Sequence, residues 1–504
     1  MDEPLEPPAQ EQKNLVLTLA KGSGISLGGR LFGRALLLVG QAILARSLGV
    51  NDYGLFSIGW TILQISIASP MGLMQGVIYF GTSLSDNEPR FRRALQQIIF
   101  LAVGLGAALG LTLFFLSPSL AELFHKSSLA DVLRGAALAM SLAIVLNVVA
   151  AATRVSRKMQ FSAIAEELLP SLLIAGGAFA FTVLWRGGTA GSMIALILAY
   201  SASAALAFRF LFGLYPAVLK PIRWQVSFFR EIIAFALPVS MAGILVILIQ
   251  WITRLILGYL RPEAEVGLYQ AASQLASLPA IILTATGTML VPMASHLSSR
   301  GQMEPLNELF KIATKWSVYL SLPLFLIMVL FPAASLDLVF GPAYRDGASL
   351  LVIMAFGQLI NLATGSVGAL QIVLGYRKQL VVILLTSLVI TVFLNWWWIP
   401  LWGVTGAAVG NMIGILLSNL AGLAVIRKMT GLWPYDRRYW KGLVAALLTL
   451  FPLALLAYFF SSGLWSLVIA GLLACIIFPI TLWRLGFDKE DRQFLAAIRQ
   501  RLGF

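Results

Sequence analysis

The sequence predicts an all-α polytopic membrane protein of about 14 transmembrane helices, forming two pseudo-symmetric six-helix lobes and two extra C-terminal helices. Three observations lead to this prediction: the composition, the distribution of basic residues and an internal repeat. Of the 504 residues, 59% are hydrophobic and 12% are charged, whereas soluble domains average roughly 45–50% apolar and 25% charged residues. No water-soluble core accommodates so much apolar sequence.

Each predicted span is an apolar stretch of about 20 residues, the length at which a helix crosses a bilayer. In chain order the spans are residues 23–46, 54–80, 94–116, 131–152, 163–185, 190–213, 232–258, 265–291, 312–334, 347–370, 379–399, 403–426, 442–460 and 463–483. The longest loop on the predicted outer side, residues 117–130, is too short to fold as a domain. We therefore expect the protein to act within the membrane.

Lysine and arginine residues set the predicted orientation, because cytoplasmic loops collect them. Of the 36 basic residues, 27 fall on one side of the predicted membrane, five fall on the other side and four lie within spans. Both termini are therefore predicted to be cytoplasmic, in a multi-pass protein of the cytoplasmic (inner) membrane. The net charge of +14 reflects this topology, and we expect no nucleic acid partner.

The two ends of the chain and its few cysteine and histidine residues lead to three further predictions. Residues 1–12 are acidic and lack the basic start of a signal peptide, so the first span is expected to act as an uncleaved insertion signal. Residues 486–504 place apolar side chains on one helical face and basic ones on the other, which predicts an amphipathic helix at the cytoplasmic interface. Cys475, His125 and His296 have no neighbours at ligand spacing, so no metal site and no disulfide is predicted.

The two halves of the chain repeat each other. The segments that match are residues 45–49 with 254–258, 53–56 with 266–269, 157–160 with 377–379, and 188–191 with 404–407, at offsets of 209 to 220 residues. Because six is an even number of spans, both copies of the repeat enter the membrane from the same side. Transporters with this arrangement bind their substrate where the two repeats meet. The predicted organisation is a cytoplasmic tail (1–22), a first lobe (23–220), a second lobe (221–428), spans 13 and 14 (429–485) and a cytoplasmic amphipathic tail (486–504).

These segments resemble the oligosaccharide or polysaccharide flippases of the multidrug/oligosaccharidyl-lipid/polysaccharide exporter superfamily. The resemblance runs from about Leu27 to the C-terminus, and its most specific piece is Asn395 followed by the residues 399–408, IPLWGVTGAA. It implies two lobes around a central cavity, alternating access and a polyprenyl-diphosphate-linked oligosaccharide as the substrate. Thr253 departs from the family pattern, since relatives commonly carry an acid before the arginine, and this speaks against cation coupling at that position.

Arginines inside spans are the candidate substrate-binding residues. Arg30 and Arg34 share one face of the first span, and Arg254 lies in the outer third of the seventh. An arginine at mid-membrane costs about 2.5–3.5 kcal/mol, so it usually faces a wet cavity or a partner. The guanidinium fork matches a diphosphate. The alternatives are that Arg30 snorkels to the inner interface and that Arg254 and Arg46 are interfacial anchors; Arg46 is also a candidate for an outer gate.

Acidic residues are almost absent from the spans. Glu166 and Glu167, near the inner end of the fifth span, are the candidates for coupling to H⁺ or Na⁺, and their alternative role is to pair with Arg157 or Lys158 at the interface. A membrane interior rich in arginine and poor in carboxylate suits an anionic substrate. Pro238, early in the seventh span, is the predicted hinge, with a static kink as the alternative.

The predicted function is a flippase that moves a polyprenyl-diphosphate-linked oligosaccharide to the outer leaflet for cell-surface polysaccharide biosynthesis. A multidrug exporter of the same superfamily is the first alternative, although organic cations favour carboxylates that the spans lack. A membrane glycosyltransferase or polymerase needs an acid or base and a large outer loop, so we predict no enzyme and no catalytic residue. We expect no cofactor beyond a coupling ion, a monomer, and membrane lipid, the lipid-linked sugar and polysaccharide-assembly proteins as partners.

Overall fold

The computed structural model describes residues 9–83, 88–156, 158–220, 225–460, 463–486, 488 and 491, and within the first helix it describes side chains at residue 28 and from residue 32 onward. The regular elements in these ranges are helical throughout, which confirms the predicted all-α class. The α-helices are α1 (Ala9–Ile67), α2 (Met71–Ser83), α3 (Glu88–Leu123), α4 (Leu129–Val155), α5 (Met159–Leu184, with two π-helical segments), α6 (Gly188–Leu214), α7 (Val226–Leu260), α8 (Glu263–Ala276), α9 (Ala280–Ser299), α10 (Met303–Leu330), α11 (Pro332–Phe340), α12 (Ala348–Thr364), α13 (Val367–Val373), α14 (Arg377–Thr430), α15 (Tyr439–Phe459) and α16 (Leu464–Arg484).

Twelve helical stretches in the described part of the chain are long and apolar enough to cross a membrane. Two of them, Phe32–Ser83 and Arg377–Thr430, contain 52 and 54 residues, more than twice the length that a bilayer core of about 30 Å requires. Each is bent at a glycine with left-handed backbone, Gly49 (φ 74°) and Gly403 (φ 58°), a conformation that costs glycine little. Each therefore supplies two spans, and the predicted number of about 14 is confirmed.

The chain forms two compact units, residues 1–251 and 252–504. The boundary lies inside α7, whereas the sequence repeat places it between residues 220 and 221. The difference arises because the first part of α7 packs on α2. A Cβ atom added to Gly72 would lie only 1.8 Å from the carbonyl oxygen of Ala236, and the Gly72 N–H donates to Ser240 Oγ at 3.0 Å.

Small residues allow the helices of the first unit to approach one another closely. Ser141 of α4 donates a hydrogen bond to the Gly106 carbonyl of α3 at 2.8 Å, and a Cβ atom on Gly106 would come within 2.9 Å of the Ser141 carbonyl oxygen. Such small-residue contacts drive helix association in membranes, where lipid removes the hydrophobic advantage of burying larger side chains. The buried face of α4 carries the same kind of residue, including Ala136, Ala143 and Ala150.

Each unit contains a broken helix at the same place in its repeat. In the first unit the helix stops between α1 and α2 at residues 68–70, and in the second it stops between α8 and α9 at residues 277–279. The breaks end at Pro70 and Pro279, which cannot donate a backbone hydrogen bond. Their separation of 209 residues equals one of the sequence offsets of the repeat. The internal repeat is therefore visible in the helix order of each unit.

The last two spans are held to α10 by ionic contacts, which we call the C-terminal clasp (Lys315, Lys441, Asp488 and Asp491). Lys315 is only 1% exposed, and its ammonium lies 3.1 Å from Asp488 and 2.9 Å from Asp491. Lys441 lies 2.7 Å from Asp488. Burial raises the pKa of the Asp488 carboxyl, but hydrogen bonds and charge from the two lysines outweigh it and hold that pKa below its ordinary value. The predicted amphipathic tail helix falls, apart from these aspartates, outside the described residues.

Candidate functional site

The candidate residues of the first span lie on α1 in the first unit. The side chain of Arg30 is outside the described residues, and that of Arg34 is exposed. Beside Arg34, a Cβ atom on Gly33 would lie 3.1 Å from the backbone oxygen of Glu167. The structure therefore places the Arg34 segment next to the backbone that carries the two candidate coupling acids.

Those two acids occupy a π-helical turn at Ile164–Leu168 within α5. Such turns are rare and occur often at functional sites. Glu166 is ion-paired with Arg154 at the end of α4, and its side chain is 9% exposed. The pairing alternative named Arg157 or Lys158; the structure shows an ion pair with Arg154, and Arg157 lies outside the described residues. Lys158 instead lies over the Phe161 ring at 5.7 Å.

Arg254 of α7 is held in the second unit by three neighbours on α8. Its Nε donates to Gln270 Oε1 at 2.8 Å and its Nη2 donates to Ser273 Oγ at 2.6 Å. The guanidinium also lies 5.5 Å from the centre of the Tyr269 ring, a cation–π distance. These three partners are neutral, and together they orient the guanidinium.

A buried polar cluster surrounds the position at which the sequence departs from its family pattern. Thr253 is fully buried, and its hydroxyl accepts a hydrogen bond of 3.0 Å from Asn395 Nδ2. Among the described residues, Asn395 Oδ1 and Gln270 Nε2 are buried without a hydrogen-bond partner, which is unusual for polar atoms in a protein interior. The sequence singled out Asn395 and Thr253 but not their contact, which joins α7 to α14.

Two further predicted roles stay predictions. Arg46 is exposed and lies three residues before the bend at Gly49, as an outer-gate residue would. Pro238 lies inside α7, which continues as one helix through it. Ser240, two residues further on, accepts the hydrogen bond from α2, so this part of α7 is in contact with the broken helix of the first unit.

One feature of the first unit was missed by sequence reasoning. A cavity of about 380 Å³ opens where α2 ends and α3 and α7 begin, and its walls include Tyr79, Arg90, Arg93 and Glu231. In the sequence the two arginines served only as markers of membrane orientation. The signal that points to this pocket is the pair of arginines three residues apart, following an aromatic residue at the end of the preceding span.

Possible metal ligands are dispersed in the part of the chain that the structure covers, where no three His, Cys, Asp or Glu side chains come together. The role of a coupling ion is not tested by this observation and stays a prediction.

Comparison with known proteins gives the family. Residues 43–349 match the model of a family described as polysaccharide biosynthesis protein. The probable low-salt glycan biosynthesis flippase of Haloferax volcanii is 21% identical over 412 residues, covering 80% of this chain and 82% of that protein. An uncharacterized membrane protein of Methanocaldococcus jannaschii is 22% identical over 187 residues, covering 37% of this chain and 36% of that one.

Solved structures give the fold. The lipid II flippase MurJ, in an inward closed conformation, matches with a TM-score of 0.73 at 13% identity. The match covers 90% of this chain and 96% of the MurJ chain. An inward-facing multidrug resistance MATE transporter of the MOP superfamily matches with a TM-score of 0.67 at 16% identity, and the match covers 79% of this chain and 94% of the transporter chain. The resemblance stated from sequence motifs is confirmed. The chain belongs to the polysaccharide biosynthesis protein family and has the fold of the multidrug/oligosaccharidyl-lipid/polysaccharide exporter superfamily.

Proposed function

We propose that the protein is a flippase that carries a polyprenyl-diphosphate-linked oligosaccharide from the cytoplasmic to the outer leaflet by alternating access, for cell-surface polysaccharide biosynthesis. The observation that carries this proposal is the family match over residues 43–349 on a transporter fold. The Haloferax relative is named as a flippase for glycan biosynthesis, which supports a lipid-linked sugar as the cargo.

Arg34 and Arg254 are the proposed contacts for the diphosphate during transport. A guanidinium binds phosphate oxygens through two parallel hydrogen bonds, and the neutral neighbours of Arg254 hold its fork in a fixed orientation. Arg34 is exposed, so its charge is available to a ligand. Keeping arginines at this depth costs free energy that a bound anion offsets.

Charge separates this proposal from its nearest rival, a multidrug exporter on the same fold. The proposed substrate contacts, Arg34 and Arg254, are positively charged, which favours an anionic substrate over an organic cation. We assign Glu166 and Glu167 to coupling with H⁺ or Na⁺, Arg46 to the outer gate and Pro238 to the hinge. A catalytic role is not part of the proposal, since the named relatives and neighbours are flippases and transporters.

The test is rescue of a strain that lacks its own polysaccharide flippase, at matched membrane expression. Arg34→Ala and Arg254→Ala should both fail to restore polysaccharide, whereas Arg34→Lys should restore part of it, because lysine keeps the charge and loses the fork. Arg300→Ala is the matched control, since Arg300 is an exposed arginine at the end of α9 and should rescue fully. Full rescue by both alanine variants would make these arginines structural and remove them from the proposed site.

A further inference from the structure

The pocket between the end of α2 and the starts of α3 and α7 has the size of a ligand site. Its volume of about 380 Å³ lies in the range of roughly 300–1,000 Å³ that small-molecule sites occupy. All of its walls belong to the first unit. On the predicted topology it faces the cytoplasm, because it includes basic residues of the loop between the second and third spans.

The charges of the pocket favour an anion. Among the described residues that line it, two are arginines, Arg90 and Arg93, and one is a carboxylate, Glu231. Arg93 Nη1 donates to Gln225 Oε1 at 2.6 Å, which fixes the guanidinium, while its Nε is buried without a partner among the described residues. The long helix α7 also begins here. Helix N-termini present free N–H groups and a partial positive charge, which attract phosphate.

An aromatic wall faces the same space. The Tyr79 side chain is 52% exposed and stacks on Phe235 with ring centres 4.9 Å apart. Phe80 meets Phe228 edge to face at 5.5 Å. These contacts join α2 to α7 and hold the Tyr79 ring in place. A fixed aromatic face with a polar hydroxyl suits a ligand that has both an apolar and a hydroxylated surface.

Phosphate alone does not account for this combination of groups. The Glu231 carboxylate repels a phosphate but accepts hydrogen bonds from hydroxyl groups. A sugar attached to a phosphate satisfies every wall: phosphate oxygens at the arginines, a ring face on the tyrosine and hydroxyls at the glutamate. A phosphatidylglycerol headgroup offers a phosphate and hydroxyls but no sugar ring to pack on the tyrosine.

We propose that this pocket is a loading site that binds the sugar-phosphate head of the lipid-linked substrate before transport. The phosphate lies at Arg90 and Arg93, the first sugar ring packs on Tyr79, and Glu231 accepts hydrogen bonds from its hydroxyls. The proposal rests on the proposed function, because it assumes that the cargo is a lipid-linked sugar. It adds a second phosphate-binding position to those proposed at Arg34 and Arg254.

Cysteine protection tests the site in the whole protein in nanodiscs. Ser83 lines the pocket, is exposed and ends α2, so Ser83→Cys in a Cys475→Ser background reports occupancy through its rate of maleimide modification. Ser299→Cys is the matched control, because Ser299 is also exposed and also ends a helix, α9. The Ser83 and Ser299 hydroxyls each donate a hydrogen bond to a carbonyl of their own helix, at 2.8 Å and 2.9 Å. The probes are farnesyl-diphosphoryl-N-acetylglucosamine, inorganic diphosphate, and nanodiscs of phosphatidylcholine with or without phosphatidylglycerol.

The sugar-bearing probe, at about ten times its Kd, should slow modification at position 83 roughly tenfold, because the reagent reaches only the empty pocket. Position 299 should react at an unchanged rate. Inorganic diphosphate should protect more weakly. Arg90→Gln should weaken protection about tenfold or more, the effect of losing a charge-assisted hydrogen bond, and Tyr79→Leu should weaken protection by the sugar-bearing probe but not by diphosphate.

Three results would overturn the loading site. Absence of protection by the sugar-bearing probe would leave the pocket without this ligand, equal protection by phosphatidylglycerol would make it a bilayer lipid site, and equal protection by inorganic diphosphate would exclude sugar recognition. A transport assay of wild-type protein separates this proposal from the proposed function. Transport without protection rejects the loading site alone, whereas absence of transport with protection rejects the flippase and leaves a sugar-phosphate site.

Discussion

Replacing Gly72 with alanine tests the close packing of α2 on α7 in the first unit. The added Cβ would lie 1.8 Å from the carbonyl oxygen of Ala236, and real Cβ atoms essentially never come closer than 3.0 Å. The helices must therefore separate locally by about 1.2 Å, the difference between 3.0 and 1.8 Å, which also strains the Gly72 to Ser240 hydrogen bond. Overpacking and the weakened hydrogen bond together should lower the free energy of unfolding by about 2–4 kcal/mol.

Two alanine variants serve as controls for this prediction, with unfolding measured by denaturant titration in detergent micelles. A Cβ on Gly104 meets nothing within 4 Å, so Gly104→Ala should keep the wild-type free energy or raise it by up to about 1 kcal/mol. A Cβ on Gly243 meets the sulfur of Met71 at 2.4 Å, the end of a flexible side chain that can move aside. Gly243→Ala should therefore lose less stability than Gly72→Ala. Equal stability of Gly72→Ala and Gly104→Ala would refute the close approach of the two helices.

Three other predictions concern topology and the C-terminal clasp. Gly431→Cys should react with an impermeant reagent only from the cytoplasm and Glu263→Cys only from outside, in a cysteine-free background; the opposite labelling in intact cells would invert the predicted orientation. Lys315→Met should lower the free energy of unfolding by about 3–5 kcal/mol, because it leaves Asp491 without its buried cation and Asp488 with Lys441 alone, and an unchanged detergent titration would contradict this. The pKa of Asp488 lies below its ordinary value of 3.8, so its contribution to stability is present above that pH and is lost as the pH falls through the folded-state pKa; a Tm titration should show the deficit of Asp488→Asn at neutral pH vanishing in acid.

Much of the fold follows from the sequence, because a bilayer leaves few choices for an apolar chain. Backbone groups in lipid must be satisfied within a helix, so hydropathy predicts the spans, and the glycines at the bends explain how two neighbouring spans join without a loop at Gly49 and Gly403. The packing of the first part of α7 on α2 was beyond sequence reasoning. It depends on the contact of Gly72 with Ala236, residues far apart in the chain, and no local pattern encodes such a pair.

The candidate site was predictable only at the level of residue types. The cost of an arginine in a membrane singled out Arg254, but its partners on α8 follow from packing that the spacing of residues does not reveal. For the same reason the ion pair of Glu166 with Arg154 was not predicted from the sequence. The pocket at Arg90 and Arg93 was missed because charge counting assigns loop arginines to topology, and only the fold brings the start of α7 beside them.

Reconstituted transport is the most direct test of the proposed flippase activity. Purified protein in liposomes would be given a fluorescent, short-chain polyprenyl-diphosphate-linked sugar in one leaflet, and its arrival in the other leaflet would be followed with an impermeant quencher. We expect movement above that in protein-free liposomes, reduced in Arg34→Ala and Arg254→Ala and retained in Arg300→Ala. If the lipid-linked sugar did not move in vesicles where the same protein transports an organic cation, the protein would be a multidrug exporter and not a flippase.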